Sequence, residues 1–174
     1  MKRITLIIIT MLLSTAAFAQ KTYDTDFAQT REMKVSGKTF NKAGHLVFDG
    51  NDHLSMTYDD PEGEYFIIDG TKVKINLDGK KADLDSEKVK MVQLQRSTLL
   101  NCLIGNWEQA ADDNNADIQI SEKDGLRNVF IKARGKAAKG GYSSVELTYR
   151  TDNDMLTRMV LEEAIGIINT YEIK

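Results

Sequence analysis

The sequence predicts a mainly β protein (α+β) in which an antiparallel sheet is accompanied by one substantial helix. The clearest sign is that residues 44–70 contain three short apolar runs separated by turn residues. The runs are Leu46–Phe48, Leu54–Tyr58 and Tyr65–Ile68, and Gly50-Asn51-Asp52 and Asp60-Pro61-Glu62-Gly63 lie between them. Such runs and turns predict an antiparallel meander. Later segments alternate apolar and polar residues, and a single segment has apolar residues at helical spacing.

The first 19 residues have the features of a secretory signal peptide. Lys2 and Arg3 precede an apolar run from Ile4 to Leu13, and Ala17-Phe18-Ala19 provides a small-residue cleavage site. The run is shorter than the roughly 20 residues that a transmembrane helix needs. We therefore expect cleavage after Ala19, export to the periplasm, and a single domain formed by residues 20–174. The residue directly after the cleavage site is not a cysteine, so we expect no lipid attachment to this chain.

Composition narrows the functions that the chain is expected to have. Without Lys2 and Arg3, 21 basic residues face 26 acidic residues, which gives a formal charge of −5. Nucleic-acid-binding proteins generally present a strongly basic face, so we expect no nucleic-acid partner. Cys102 is the only cysteine in the sequence. No intramolecular disulfide can therefore form, and the fold must be held by its core.

The pairing register of the first hairpin follows from its apolar residues. Side chains alternate with period two along a strand, so the apolar residues of each strand share a face. These residues are Leu46, Phe48, Leu54, Met56 and Tyr58. They lie on one side of the sheet only if Phe48 pairs with Leu54, which leaves a three-residue loop over 50–52. The other face then carries His45, Val47, Asp49, His53, Ser55 and Thr57.

The remaining strands are predicted from shorter patterns. Tyr23–Val35 forms the first strand, with Phe27 as its apolar anchor. Tyr65–Ile68 is apolar on both faces, which predicts a strand that is covered on both sides. Alternation of apolar and polar residues predicts further strands around Val73–Leu77, Ile118–Ile120, Val129–Ile131, Val145–Tyr149, Leu156–Leu161 and Ile165–Ile173.

The helix is predicted over Asp85–Ile104. Asp85 or Ser86 can cap its N-terminus, and Gly105 can end it. Its apolar stripe consists of Val89, Val92, Leu99, Leu100 and Leu103. A helix laid across an open sheet would show this stripe, and an ordinary core helix would show it equally well. Residues 106–116 are predicted to form a polar loop that contains Trp107.

Few residues suggest chemistry. The alternation places His45, Asp49 and His53 on one face, but no fourth ligand is evident, and a structural zinc ion usually has four. A solvated surface pair is the alternative interpretation, and we expect no metal. Cys102 lies between apolar helix residues, which favours a buried, inert thiol over a nucleophile. We expect no cofactor and no enzymatic activity, because no catalytic constellation or phosphate-binding loop is present.

The order of the strand segments resembles the periplasmic outer-membrane lipoprotein carrier family, the LolA-like proteins. The resemblance rests on FAQTREM at 27–33, then GHLVF, LSMTY, a proline turn and EYFIIDGTKV, and it extends from about Asp26 to the C-terminus. It implies an open, curved antiparallel sheet, an incomplete barrel, with helix covering its apolar concave face. It also implies a monomeric carrier of acylated lipoproteins or lipids, with loading and receiving partners at the inner and outer membranes.

Two features depart from the family pattern. Only Gln20–Thr25 precede the first strand, where the family often has a helix. Carriers of the family often have an arginine that holds the helical lid, in the strand after the first hairpin. That strand reads Leu54–Tyr58 here and contains no arginine.

The resemblance and the register together predict an acyl-binding hollow. We expect its lining to include the apolar face of the hairpin and the helix residues closest to it: Leu46, Phe48, Leu54, Met56, Tyr58, Leu99 and Leu103. Methionine is flexible and polarizable, which suits a surface that fits variable chains. The alternative interpretation is that these side chains form a closed, packed core. A secreted lipid-binding or structural interaction module of the same fold is the alternative function, and a secreted hydrolase of that fold is a further alternative that the lack of a catalytic constellation disfavours.

Overall fold

Among the residues that the structure describes, eleven strands form one antiparallel sheet whose order places the first and last strands side by side. The computed structural model describes residues 21–135 and 141–174, so the predicted signal peptide and its cleavage site lie outside the described residues. The strands of the first half are β1 (Tyr23–Met33), β2 (Lys38–Phe48), β3 (His53–Tyr58), β4 (Tyr65–Asp69), β5 (Lys72–Leu77) and β6 (Lys80–Asp85).

Two helices of the described residues, α1 (Lys90–Ile104) and α2 (Trp107–Asp113), connect the two halves of the sheet. The second half contains β7 (Ala116–Lys123), β8 (Leu126–Ala133), β9 (Tyr142–Arg150), β10 (Leu156–Glu163) and β11 (Ile167–Ile173). The strand order is β6-β5-β4-β3-β2-β1-β11-β10-β9-β8-β7. The sheet is open, because the edge strands β6 and β7 are paired on one side only.

The predicted register of the first hairpin is confirmed. Phe48 lies opposite Leu54, and Leu46 lies opposite Met56. The amide of Asp49 donates to the carbonyl of His53 at 3.1 Å, which closes the three-residue loop. The carboxylate of Asp49 accepts hydrogen bonds from the amides of Asn51 and His53, at 2.8 and 3.1 Å, and so shapes the loop from inside.

Curvature of the sheet brings distant strands to the same helix. Strands β1 and β9 are separated by β11 and β10 in the sheet. Neighbouring strands lie about 4.8 Å apart, so a flat sheet would separate β1 and β9 by about 14 Å. The Tyr23 hydroxyl of β1 nevertheless donates to the Leu103 carbonyl, and the Tyr149 hydroxyl of β9 donates to the carbonyl of Cys102. The sheet therefore wraps around the last turn of α1.

The predicted helix starts later than expected and is followed by a second helix. Asp85 belongs to β6, and its carboxylate pairs with Lys72 and accepts from the Glu87 amide, so it caps the turn that precedes α1 and not the helix itself. Ser86 is held outside the helix because its hydroxyl donates to the Thr71 carbonyl at 2.9 Å. The end at Gly105 is confirmed, with φ 84° in the left-handed region that favours glycine. The prediction of a loop over 106–116 was wrong, because residues 107–113 form α2.

The strand predictions needed three further corrections. Strand β6 was missed, and β2 begins at Lys38, well before its apolar residues. The prediction that Tyr65–Ile68 is covered on both sides was wrong. Within this strand only Ile68 is buried, and the preceding three residues are half-buried. The remaining predicted strands are present, with bounds that differ by a few residues.

The core lies between the sheet and the two helices. Buried side chains from both halves of the sheet form one cluster with α1 and α2. Its largest fully buried members include Tyr149, Phe27, Phe48, Leu46, Leu54, Ile68 and Leu103. Val89, which was predicted to belong to the apolar stripe of the helix, precedes α1 and is exposed. In the described part of the chain, none of the helices has the length and apolarity required to cross a membrane.

Candidate functional site

The inner face of the sheet, defined as the face on which α1 and α2 pack, has a filled part and an open part. The filled part contains all seven residues predicted to line a hollow: Leu46, Phe48, Leu54, Met56, Tyr58, Leu99 and Leu103. Each of these side chains is at most 8% exposed. Five pockets among the described residues are lined by other side chains. The structure thus brings the predicted set together as a packed core, and its role in ligand binding stays a prediction.

Three hydrogen bonds from side chains hold α1 against the sheet and its turns. The Tyr23 hydroxyl donates to the Leu103 carbonyl at 3.2 Å and accepts from the Leu156 amide at 2.9 Å. The Tyr149 hydroxyl donates to the Cys102 carbonyl at 2.6 Å. Near the other end of the helix, Arg96 Nε donates to the Gly70 carbonyl in the β4–β5 turn at 2.6 Å. The helix covers the filled part through these bonds and its apolar contacts.

The open part of the inner face is a pocket beyond Phe27 and Tyr58, hereafter the inner-face pocket. It has a volume of about 300 Å³ and is lined by Gln29, Arg31, Met33, Phe40, Lys42, Leu77 and Asp78. Gln29 pairs with Lys42 and Arg31 pairs with Phe40. Alternation with period two therefore places these side chains on the same face as Phe27 and Leu46. Met33, Phe40 and Leu77 provide apolar walls.

Charged side chains form a network at one wall of the inner-face pocket. Asp78 accepts a hydrogen bond from Arg31 Nη1 at 3.0 Å and another from Lys42 Nζ at 2.8 Å. Lys42 also pairs with the buried Glu64 at 2.5 Å, and Glu64 accepts from the Asp78 amide at 2.7 Å. The hydrogen bond from Lys42 lowers the pKa of Asp78. The positive charges of Arg31 and Lys42 are thus matched by the negative charges of Asp78 and Glu64.

One donor in this network lacks a partner. Arg31 Nε is enclosed by protein and has no acceptor among the described residues. The Arg31 side chain lines the pocket and is 35% exposed as a whole, but Nε itself has almost no accessible surface. Burial raises the pKa of the neighbouring Glu163, and the charge of Arg31 opposes this rise. An unsatisfied enclosed donor costs about 1–3 kcal/mol, so Arg31 has hydrogen-bonding capacity that the fold does not use.

Sequence reasoning missed the inner-face pocket. Its lining comes from β1, β2 and the end of β5, and the partners Arg31 and Asp78 are 47 residues apart. Spacing along the chain gives no sign of such a network. The only sign of the pocket in the sequence was that Arg31 and Lys42 are separated from the buried apolar residues of their strands by an even number of positions. They therefore lie on the same face as those residues. This sign is useful only when β2 is known to start at Lys38, because only then does Lys42 belong to a strand that pairs with β1.

The histidines lie on the outer face and point to separate partners. His45 bridges two carboxylates of β1, with Nδ1 3.0 Å from Asp26 and Nε2 2.8 Å from Asp24. His53 Nδ1 lies 3.6 Å from Asp69, and the Asp49 carboxylate accepts from the backbone amide of His53 at 3.1 Å. Within residues 21–135 and 141–174, no group of three potential metal ligands is found.

Cys102 is fully enclosed by the core. The side chain has no exposed surface, and burial raises the pKa of its thiol to about 12. The thiol is therefore protonated at physiological pH, which disfavours nucleophilic reactivity.

An open antiparallel sheet of eleven strands, with two helices packed on one face and a pocket at the end of that face, defines the architecture. The outer membrane lipoprotein carrier protein family, LolA, matches residues 19–174, and the chain belongs to this family. The predicted family and fold class are thereby confirmed. A comparison with curated protein sequences finds no match.

Solved structures resemble the chain at low sequence identity. A LolA superfamily protein from Nitrosomonas europaea is 10% identical, with 90% of this chain and 85% of that chain covered and a TM-score of 0.40. A protein of family DUF1329 from Desulfovibrio piger is 14% identical, with coverage of 90% and 85% and a TM-score of 0.42. The lipoprotein LppX from Mycobacterium tuberculosis is 12% identical, with coverage of 90% and 87% and a TM-score of 0.37.

Proposed function

We propose that this chain is a periplasmic carrier that binds the acyl chains of lipoproteins or related lipids on the inner face of its sheet. It carries them towards the outer membrane, after loading by a partner at the inner membrane and before release to one at the outer membrane. The description of its family as outer membrane lipoprotein carriers supports this proposal. Binding needs an apolar surface and no reacting group, so the role is that of a carrier without enzymatic activity.

The observation that carries the proposal is the inner-face pocket and its continuity with the filled part. Met33, Phe40 and Leu77 line an open space on the same face of the sheet as the packed set from Leu46 to Tyr58. An acyl chain can enter at the open end without any change in the core. A longer chain, or a second one, extends over Tyr58 and Met56 if α1 moves away from the sheet.

Burial of the acyl chain offsets part of the cost of such an extension. Each methylene group removed from water contributes about 0.8 kcal/mol, so ten methylenes contribute about 8 kcal/mol before the costs of association are subtracted. Moving α1 breaks the three bonds that Tyr23, Tyr149 and Arg96 provide, and a typical bond of this kind contributes about 1 kcal/mol. The apolar contacts that α1 loses are replaced in part by contacts with the acyl chain. The helices therefore act as a lid whose opening is coupled to loading.

A pair of substitutions on strand β2 tests the proposal. Phe40 is 47% exposed on the inner face and Val47 is 37% exposed on the outer face. Phe40→Asp and Val47→Asp thus introduce the same charge at comparable exposure on opposite faces of one strand. Titration of the purified protein with a fluorescent acyl probe should show submicromolar to micromolar binding for the wild type and for Val47→Asp. Phe40→Asp should weaken binding at least tenfold.

Thermal melts of all three proteins accompany the titration, because both substitutions are expected to leave the fold intact. Mass spectrometry of an organic extract from periplasmic protein, purified without detergent, should reveal co-purified acyl lipid. Absence of binding by the wild type, together with a lipid-free extract, would overturn the proposal and favour an interaction module of the same fold. Equal weakening by both substitutions would place the acyl chain elsewhere.

A further inference from the structure

We propose that two turns beside the inner-face pocket dock on the surface of an anionic lipid bilayer, so that an acyl chain passes directly between the bilayer and the pocket. The turns are residues 34–38, where β1 leads into β2, and residues 164–166, between β10 and β11. Together they are called the rim. This inference rests on the proposed function, since it identifies the surface with which the pocket exchanges its acyl chains.

The rim lies directly beyond the inner-face pocket. Met33, which lines the pocket, pairs with Ile167 at the last register position of β1 and β11. The Lys34 amide donates to the Gly166 carbonyl at 3.0 Å and so holds the two turns side by side. The last turn of α1 is bonded to Tyr23, at the opposite end of β1. The rim is therefore next to the pocket and remote from that end of the helix.

The rim exposes two aliphatic side chains that the fold does not bury. Val35 is 92% exposed and Ile165 is 68% exposed, the highest values among the large apolar side chains of the described residues. Single exposed apolar residues are common on protein surfaces. Here two of them lie on turns that are joined by a backbone hydrogen bond, beside an apolar pocket wall. Insertion at the boundary between headgroups and acyl chains would remove both side chains from water.

The charges of the rim fit an anionic surface. Lys34 and Lys38 are the only charged residues of the two turns, although the predicted mature chain has a formal charge of −5. The acidic neighbours Glu32, Glu162 and Glu163 belong to the adjoining strands. Lys34 pairs with Glu162 at 2.5 Å, so attraction to anionic headgroups depends chiefly on Lys38.

A protein partner is the alternative occupant of the rim. Stable protein interfaces bury about 800 Å² on each side and are centred on aromatic or arginine side chains. The turns 34–38 and 164–166 contain neither an aromatic residue nor an arginine. Two short turns with aliphatic and lysine side chains therefore fit a bilayer surface better than a protein.

Flotation of the full-length mature protein with vesicles tests the inference. Vesicles of phosphatidylglycerol and phosphatidylcholine in equal parts should bind the wild type, and vesicles of phosphatidylcholine alone should bind it more weakly. The double substitution Val35→Asn/Ile165→Asn removes the aliphatic groups without adding charge and should weaken binding at least about fivefold. Lys38→Gln should remove the preference for anionic vesicles. The outer-face control Val47→Asn should bind as the wild type does.

A label on the rim tests insertion without relying on the loss of binding by a variant. Val35→Cys labelled with nitrobenzoxadiazole should shift its emission to the blue when the anionic vesicles are added. The same label on Val47→Cys should show no shift. The thiol of Cys102 has no exposed surface, so labelling of native protein is confined to the introduced cysteine. Equal shifts from both labels, or no shift from the rim, would overturn the inference.

Titration with a fluorescent acyl probe in solution separates this inference from the proposed function. Val35→Asn/Ile165→Asn should bind the free probe as the wild type does, because neither residue lines the pocket. The same variant should take up the probe more slowly from anionic vesicles. A wild type that binds the free probe but no vesicles would overturn docking on a bilayer and favour a protein partner at the rim. Failure of the wild type to bind the free probe would overturn the proposed function itself.

Discussion

Replacing Tyr23 and Tyr149 separately by phenylalanine should cause unequal losses of stability, although both hydroxyls are buried and bind the last turn of α1. Tyr149 donates to the Cys102 carbonyl at 2.6 Å, and that carbonyl also accepts from the Gly105 amide at 3.3 Å. Tyr149→Phe therefore removes one bond and leaves its partner satisfied. Tyr23 donates to Leu103 and also accepts from the Leu156 amide. Tyr23→Phe thus removes two bonds from buried backbone groups.

The expected magnitudes follow from this difference. A single hydrogen bond contributes about 1 kcal/mol, so Tyr149→Phe should lower the free energy of unfolding by about that amount. Tyr23→Phe loses a second bond and leaves a buried amide unpaired, which raises the expected loss to about 2–4 kcal/mol. For a chain of this size each kcal/mol corresponds to a fall of about 2–4 °C in Tm.

Urea unfolding followed by circular dichroism measures both losses on one scale. Tyr65→Phe, on the half-buried outer face of β4, is the matched control and should change stability by less than about 0.5 kcal/mol. Equal losses of unfolding free energy for the two buried tyrosines, or a larger loss for Tyr149→Phe, would contradict the prediction. Stability would then not depend on how many buried backbone groups each substitution leaves without a hydrogen bond.

Three further predictions concern single residues. Hydrogen bonds to Asp26 and Asp24 raise the pKa of His45, so its protonated form stabilises the fold below the ordinary pKa of 6.5. This contribution disappears as the pH rises through the higher pKa of the folded state, and His45→Gln should therefore destabilise at pH 5.5 but hardly at pH 9, by urea unfolding at both. The Cys102 thiol should resist alkylation in native protein at pH 8 and react only in step with urea unfolding; rapid native labelling would contradict its burial. Met56→Asp should lower the free energy of unfolding by several kcal/mol, since Met56 is 4% exposed in the packed core, and a melt unchanged from wild type would indicate an open hollow.

The sequence predicts the fold best where a face is strongly apolar. In the β2–β3 hairpin, a register slip of one residue would expose Leu54 and Met56, so the apolar pattern permits one pairing only. Gly105 identifies the end of α1 for a comparable reason, since few other residues adopt its left-handed conformation.

The missed elements lack such a pattern. Strand β6 is a polar edge strand whose only apolar residues are Ala82 and Leu84, which lie opposite Ile75 and Val73 of β5. Helix α2 buries only Ala110 and Ala111, whose small side chains produce no apolar stripe. The start of α1 was misplaced because Asp85 serves β6 through its ion pair with Lys72. In each case pairing with a distant segment outweighs the local preference.

The candidate site likewise has one part that the sequence predicts and another part that it does not. The seven predicted residues are apolar and share a face, so their convergence could be predicted from alternation alone. The network of Arg31, Lys42, Asp78 and Glu64 depends on two strands and two turns that meet only in the folded chain. Its charges are ordinary in the sequence, and only the fold brings them together on the inner face.

Photo-crosslinking with a saturated acyl ester that carries a terminal diazirine tests most directly whether the inner face holds acyl chains. The purified protein is irradiated with the probe, digested, and sequenced by mass spectrometry. We predict crosslinks to Met33, Phe40 or Leu77 in the inner-face pocket and, with longer chains, to Met56 under α1. Crosslinks confined to outer-face residues such as Val47, or no crosslinks at saturating probe, would contradict carriage of acyl chains on this face.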